Sequence, residues 1–194
     1  MLVHLVRHGE VHNPEGLVYG ALPGFGLSAR GRQQADEVAE HLGQEPITAV
    51  WSSPLERALR TAEIIAVPHR LSVKVSAHLI EWDVGNWTGI PWDELSLRRP
   101  GELEAYLVDP TDLPFSPESL QDLARRVGGI VTDAAEAAEG DMVFVGHQDP
   151  IQAARLYLTG RSLTYQHVER PGHASVITLQ RGDPWKEIAY WQPE

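Results

Sequence analysis

Short apolar runs of strand length alternate with stretches of helical periodicity along most of this chain. That alternation constrains its fold more than any other feature. Strand-type runs fall at Leu2–Val6, Ile47–Trp51, Val73–Ala77, Met142–Val145, Ser175–Leu179 and Glu187–Trp191. Between them, Ala35, Val38, Ala39 and Leu42 follow helical spacing, as do Leu55, Ala58, Leu59, Ala62 and Ile65. A third set comprises Leu120, Leu123, Ala124, Val127, Ile130, Val131, Ala134 and Ala138. Each set lays one apolar stripe along a helix. Strands alternating with such helices predict an α/β fold with a largely parallel sheet. Only Gln180 to Lys186 separate the last two runs, around Gly182-Asp183-Pro184. That is too short for a parallel crossover and predicts an antiparallel hairpin at one edge.

Residues 82–119 break the pattern. They hold Trp82, Trp87 and Trp92 among Pro91, Pro100, Pro110, Pro114 and Pro117. They read as an irregular insertion with short helices, packed over the sheet, and segments of this kind often carry function. A length of 194 residues favours one domain over 1–194. Cys is absent, which excludes disulfides, thiolate metal sites and a Cys nucleophile. No apolar stretch is long enough to span a bilayer, and no signal peptide is expected, so the expected location is cytoplasmic. The net charge of −11 disfavours nucleic acid and anionic membranes as partners. Any anionic substrate then needs a local positive pocket.

Three segments supply the residues for one. The first apolar run ends in Arg7-His8-Gly9-Glu10, which places a fixed cation, a nucleophile candidate and a small residue at a strand end. Ser52-Ser53-Pro54-Leu55-Glu56-Arg57 follows the second run. Ser53 as N-cap, Pro54 at the first helical position and Glu56 at the third read as a capping box, with Arg57 in the first helical turn. Val145-Gly146-His147 repeats the first layout at the end of a later run. Ligands in open α/β sheets bind outside the carboxyl ends of strands, so the two His side chains can meet in one crevice. After the third run, Glu81 beside Trp82 in a Gly-rich turn is a candidate general acid. Each segment alone also fits a bland reading: a capped helix with a solvated Arg, a structural His, a surface Glu.

Together the motifs resemble the histidine phosphatase superfamily, also called phosphoglycerate mutase-like. They are Arg7-His8-Gly9-Glu10, Ser52 to Ala58 with Thr61-Ala62, Glu81 with Gly85-Asn86-Trp87-Thr88-Gly89, and Val145-Gly146-His147, in the family's order. The resemblance implies a three-layer α/β/α fold with a mostly parallel central sheet and an antiparallel edge strand. It implies hydrolysis of phosphate monoesters through a phosphohistidine on His8, with Glu81 as proton donor. Arg7, Arg57 and His147 would surround the phosphoryl group, with no cofactor and no metal. Many members carry an Asn six residues after the first His. Here Pro14 stands there, and Asn13, one earlier, is carried over as a phosphate contact. Gln148 replaces a common Gly, and His173 stands near a common Asn, where it either supports the pocket or caps a strand.

The alternatives are a cofactor-dependent phosphoglycerate mutase and a non-catalytic phospholigand-binding protein. Mutases of this kind usually carry a longer insertion with basic residues for a second anion, whereas 82–119 offers only Arg98 and Arg99. The expected partner is a small phosphate ester, and oligomeric state stays open, a homo-oligomer included. His4, His8 and His12 share a four-residue spacing, but that aligns ligands only on a helix, and Leu2–Val6 reads as a strand. His41, His69, His78 and His167 show no partner pattern. Trp87 and Trp92 lie in the segment expected to roof the pocket.

Overall fold

The computed structural model describes residues 1–137 and 139–193; Ala138, the last member of the third apolar set, lies outside the described residues. Along the chain run β1 (Leu2–Arg7), α1 (Ala29–Leu42), β2 (Ile47–Ser52), α2 (Glu56–Ala66) and β3 (Val73–Val75). The insertion carries the short helices α3 (Leu95–Arg98) and α4 (Glu102–Val108). Then come α5 (Leu120–Ala137), β4 (Asp141–Gly146), α6 (Gln148–Leu158), β5 (Val176–Gln180) and β6 (Lys186–Trp191).

The strands form one sheet in the order β3-β2-β4-β1-β5-β6. β1, β2, β3 and β4 are parallel, while β5 runs antiparallel to both β1 and β6. The expected hairpin is present, but its reversed strand is β5, one place in from the edge. β6, at the edge itself, therefore runs with the other strands. Near-continuous apolar runs mark strands covered on both faces, and β1 and β4 are buried along their length while β6 is largely exposed. Side chains alternate across a strand. Met142 and Phe144 enter one core with Leu123 and Val127 of α5 and Ile151 of α6. Val143 and Val145 enter a second with Val38 of α1 and Ala62 and Ile65 of α2. Those two cores separate the three layers.

The order β2-β4-β1 sets three parallel strand ends side by side. Backbone bonds lock them: His8 N donates to Gly146 O at 3.0 Å and Ser53 N to Val145 O at 3.0 Å. The start of α1 is pressed against the same corner. Its N-cap Ser28 accepts from Gly31 N at 2.9 Å and donates to Glu10 Oε1 at 2.6 Å. A Cβ on Gly31 would lie 2.0 Å from the Glu10 carbonyl oxygen, and one on Gly9 would lie 2.3 Å from the Gly31 oxygen. Gly9 is therefore small so that α1 can close on the loop. Since backbone occupies both clashing positions, Gly31→Ala should cost about 2 kcal/mol by overpacking. Thermal unfolding should show it as a fall in Tm of roughly 4–8 °C, and an unchanged Tm would mean that the contact relaxes freely.

The His4, His8, His12 spacing lies on and after a strand, as the sequence implied. His4 is buried in the sheet, its Nδ1 3.1 Å from Thr178 Oγ1, and burial pushes its pKa down to about 4. Among the described residues no helix is long and apolar enough to cross a membrane.

Candidate active site

His8 follows the end of β1 and is buried. Its Nδ1 lies 2.7 Å from the Gly9 carbonyl oxygen, which can only accept, so Nδ1 carries the proton. The other nitrogen, Nε2, accepts from Arg57 Nε–H at 3.2 Å. Nε2 therefore holds a lone pair. Burial, and then the nearby His147, Arg57 and Arg7, push the His8 pKa well below the usual histidine range. The ring is neutral at pH 7, with its tautomer fixed.

Arg57 sits in the first turn of α2, as expected, but the capping box does not form. The helix begins at Glu56, and its N-cap Leu55 makes no side-chain cap bond. Ser53 turns towards the site instead. Its Oγ accepts from Leu55 N–H at 3.3 Å and lies 2.8 Å from His147 Nε2. The Ser53 hydroxyl thus engages both the Leu55 N–H and His147 Nε2. His147 Nδ1 is buried with no hydrogen-bond partner and stands 3.9 Å from Glu81 Oε2, too far for a hydrogen bond. An unpartnered ring nitrogen thus stands near the Glu81 carboxyl group, on a ring whose centroid is 5.1 Å from that of His8.

The two clamp guanidiniums are held by neutral acceptors. Arg57 donates to Gly20 O at 2.7 Å and lies over the Tyr19 ring at 4.6 Å. Arg7 donates to Gln148 Oε1 at 2.7 Å, Pro171 O at 2.9 Å and His173 Nε2 at 2.9 Å. Burial, and next the Arg7 charge, bring the His173 pKa down to about 4, so it accepts as a neutral ring. His173 thus supports the pocket, and Gln148 takes a specific place beside it. Neither guanidinium has a carboxylate within ion-pair distance among the described residues, so both charges stay available to an anion.

Glu81 follows the 3-10 turn Ala77–Leu79, with its side chain 17% exposed. Burial raises its pKa to about 7 and Asp149 adds to the rise, against the backbone N–H of Trp82 and the charges of Arg57 and Arg7. Trp82 N donates to Glu81 Oε1 at 2.9 Å and fixes the carboxyl orientation. Asn13 is placed differently. Its Nδ2 donates to Leu17 O at 2.9 Å and its Oδ1 accepts from Leu17 N at 3.1 Å, so its amide closes a local loop.

Arg7 and Glu81 also line a cavity of about 740 Å³, with Leu17, Val18, Trp87 and Trp92 among its apolar walls. The two sides of this roof are laced together by backbone bonds, Val18 N to Ile90 O and Gly89 N to Val18 O, each 2.8 Å. Trp87 and Trp92 do roof the pocket. Arg98 and Arg99, the only basic residues the insertion offers, do not line it, and Arg98 pairs with Glu94. The further lining cation is Arg170, from the loop before β5. Sequence reading missed it, with Tyr19 and the role of Ser53, because loop residues carry no periodicity.

The sequence profile of the histidine phosphatase superfamily (branch 1) matches residues 3–192. An uncharacterized protein of Mycobacterium tuberculosis is 40% identical over 202 residues, covering 98% of this chain and 96% of that protein. Phosphoserine phosphatase 1 of Hydrogenobacter thermophilus is 33% identical over 163 residues, covering 82% and 77%. Among solved structures, a mycobacterial glucosyl-3-phosphoglycerate phosphatase in complex with VO3 superposes with a TM-score of 0.89 at 27% identity, covering 100% of this chain and 99% of that one.

Proposed function

The chain belongs to the histidine phosphatase superfamily, and we propose that it hydrolyses phosphate monoesters through a phosphohistidine on His8, with Glu81 as the proton donor. The observation that carries this reading is the His8 tautomer. Gly9 O holds the proton on Nδ1, so the lone pair on Nε2 is the one beside Arg57.

A phosphoryl oxygen entering the site replaces His8 Nε2 as the acceptor of Arg57 Nε–H. Nε2 then attacks phosphorus in line. The bond from phosphorus to the leaving oxygen breaks, and Glu81 gives that oxygen its proton. In the second step water attacks the phosphohistidine, the Glu81 carboxylate takes a water proton, and Nε2 leaves with its electron pair. The sum is ester plus water to alcohol plus phosphate. Phosphoryl transfer depends mainly on positioning and on stabilising charge at the equatorial oxygens. Arg7 and Arg57 supply that charge, joined by His147 through its unpartnered Nδ1 in the tautomer that carries the proton there. Asn13 Nδ2 gives one N–H to Leu17 O, which leaves its second N–H for a phosphoryl oxygen.

A cavity of this size leaves room beyond a phosphoryl group. Its Trp and aliphatic walls favour a leaving group with a sizeable apolar part. The test is phosphate release from a broad panel of monoesters, including phosphoserine and glucosyl-3-phosphoglycerate, the substrates named for relatives. Acid-labile, alkali-stable labelling of the protein should accompany turnover. Bisphosphoglycerate-dependent isomerisation of phosphoglycerate faster than phosphate release would overturn hydrolysis in favour of a mutase.

A further inference from the structure

Arg170 shares the feature that sets Arg7 and Arg57 apart: a guanidinium on the site, held only by neutral acceptors. Its Nη2 donates to Tyr106 Oη at 3.1 Å and to His167 Nδ1, and its Cζ lies 5.5 Å from the centre of the Tyr106 ring. The partners are themselves fixed. Tyr106 donates its hydroxyl proton to Asp149 Oδ2 at 2.9 Å, so its oxygen must offer a lone pair to Arg170. His167 Nε2 donates to Tyr106 O at 2.6 Å, which leaves Nδ1 as the acceptor. Asp149 is further occupied by Gln166 Nε2 at 3.3 Å. What remains of Arg170 is open. Nη1 has no protein partner, Nε is buried without one, and no carboxylate of the described residues lies within ion-pair distance. A half-buried cation kept unpaired is costly unless a ligand completes it.

We propose that Arg170, aimed by Tyr106 and His167, is a second anion clamp in this cavity, and that the substrate is a phosphomonoester whose alcohol carries a carboxylate. This rests on the phosphatase reading above. Arg170 is adjacent to Pro171, whose carbonyl holds Arg7, and Asp149 is adjacent to Gln148, which also holds Arg7. Both guanidiniums line one cavity and their charges act on each other, so one bound substrate can meet both. A singly charged carboxylate suits a cavity that also contains Glu81, Asp83 and Asp149 better than a second phosphate does.

The test compares kcat/KM for phenyl phosphate, 3-carboxyphenyl phosphate and phenylene 1,3-bisphosphate in the wild type, Arg170→Gln and Tyr106→Phe. A charge-assisted clamp should make the carboxylated-to-plain ratio fall about 10- to 100-fold in Arg170→Gln. In Tyr106→Phe, where only the aim is lost, it should fall by a smaller factor, mostly through KM. Equal loss on all three esters would place Arg170 on the phosphoryl group or in the fold and overturn the proposal, as would an unmoved ratio. A fall for the bisphosphate alone would overturn the carboxylate in favour of a second phosphate. Calorimetry with benzyl phosphonate and 3-carboxybenzyl phosphonate separates the two readings. Arg170-dependent preference for the carboxylated phosphonate without any ester hydrolysis would uphold the clamp and overturn the phosphatase.

Discussion

Replacing His8 by Ala should lower phosphate release by ~10⁴-fold or more, the scale seen when a covalent nucleophile is removed. The neighbours explain why the loss cannot be made up. His147 Nε2 is bonded to Ser53, and His173 Nε2 accepts from Arg7. The Ser53 hydroxyl is engaged by His147 and by Leu55 N–H. The variant should still fold, because His8 contributes bonds only to Gly9 O and Arg57 Nε. Added imidazole, which fits the space left by the ring, should restore part of the rate, and radiolabel from the substrate should no longer stay on the protein. Turnover close to wild type in His8→Ala would overturn the phosphohistidine route.

The sheet was legible because each strand is short, apolar and bounded by helical periodicity. The six runs in the sequence became the six strands, with ends shifted by two residues or fewer. The direction of β5 was harder to read. A hairpin loop fixes that two strands are opposed, but which of them opposes the rest depends on pairing with β1, a contact more than 160 residues away in sequence. The site shows the same division. Arg7, His8 and His147 lie at or just past strand ends, where strand periodicity places them, and Arg57 follows from the turn after β2. Ser53 misled because α2 starts at Glu56, later than the capping box requires, so its hydroxyl meets Leu55 N–H and His147 Nε2 instead. Arg170, Tyr106 and Asp149 come from a loop and two helices, and only three-dimensional packing brings them together. Asn13 was carried over by family spacing, and Leu17 also bonds both ends of its amide, a local closure invisible in the motif.

Glu81→Gln should divide substrates by leaving group. Gln is nearly isosteric, and its Oε1 can still accept from Trp82 N–H, so the site geometry is kept. What is lost is the proton. An alkyl alcohol is a poor leaving group as an alkoxide, and general acid catalysis contributes about 10²–10⁴-fold. A loss of that order in kcat/KM is expected for alkyl phosphates. A nitrophenyl phosphate, whose oxygen leaves without protonation, should lose less than about tenfold. The comparison must use kcat/KM, which reports steps up to phosphoryl transfer, because kcat for aryl esters also includes the water attack that Glu81 assists as a base. The pH dependence gives an independent check. With its pKa raised to about 7, first by burial and then by Asp149, the carboxyl is protonated below that pH and loses its proton above it. Wild-type kcat/KM on alkyl esters, which follows ionisation of the free enzyme, should therefore fall on the alkaline side of about pH 7. In Glu81→Gln the limb should vanish, because nothing at that position titrates. Equal losses on alkyl and aryl esters, or an alkaline limb that survives the substitution, would remove Glu81 from the role of acid and leave the proton to come from water.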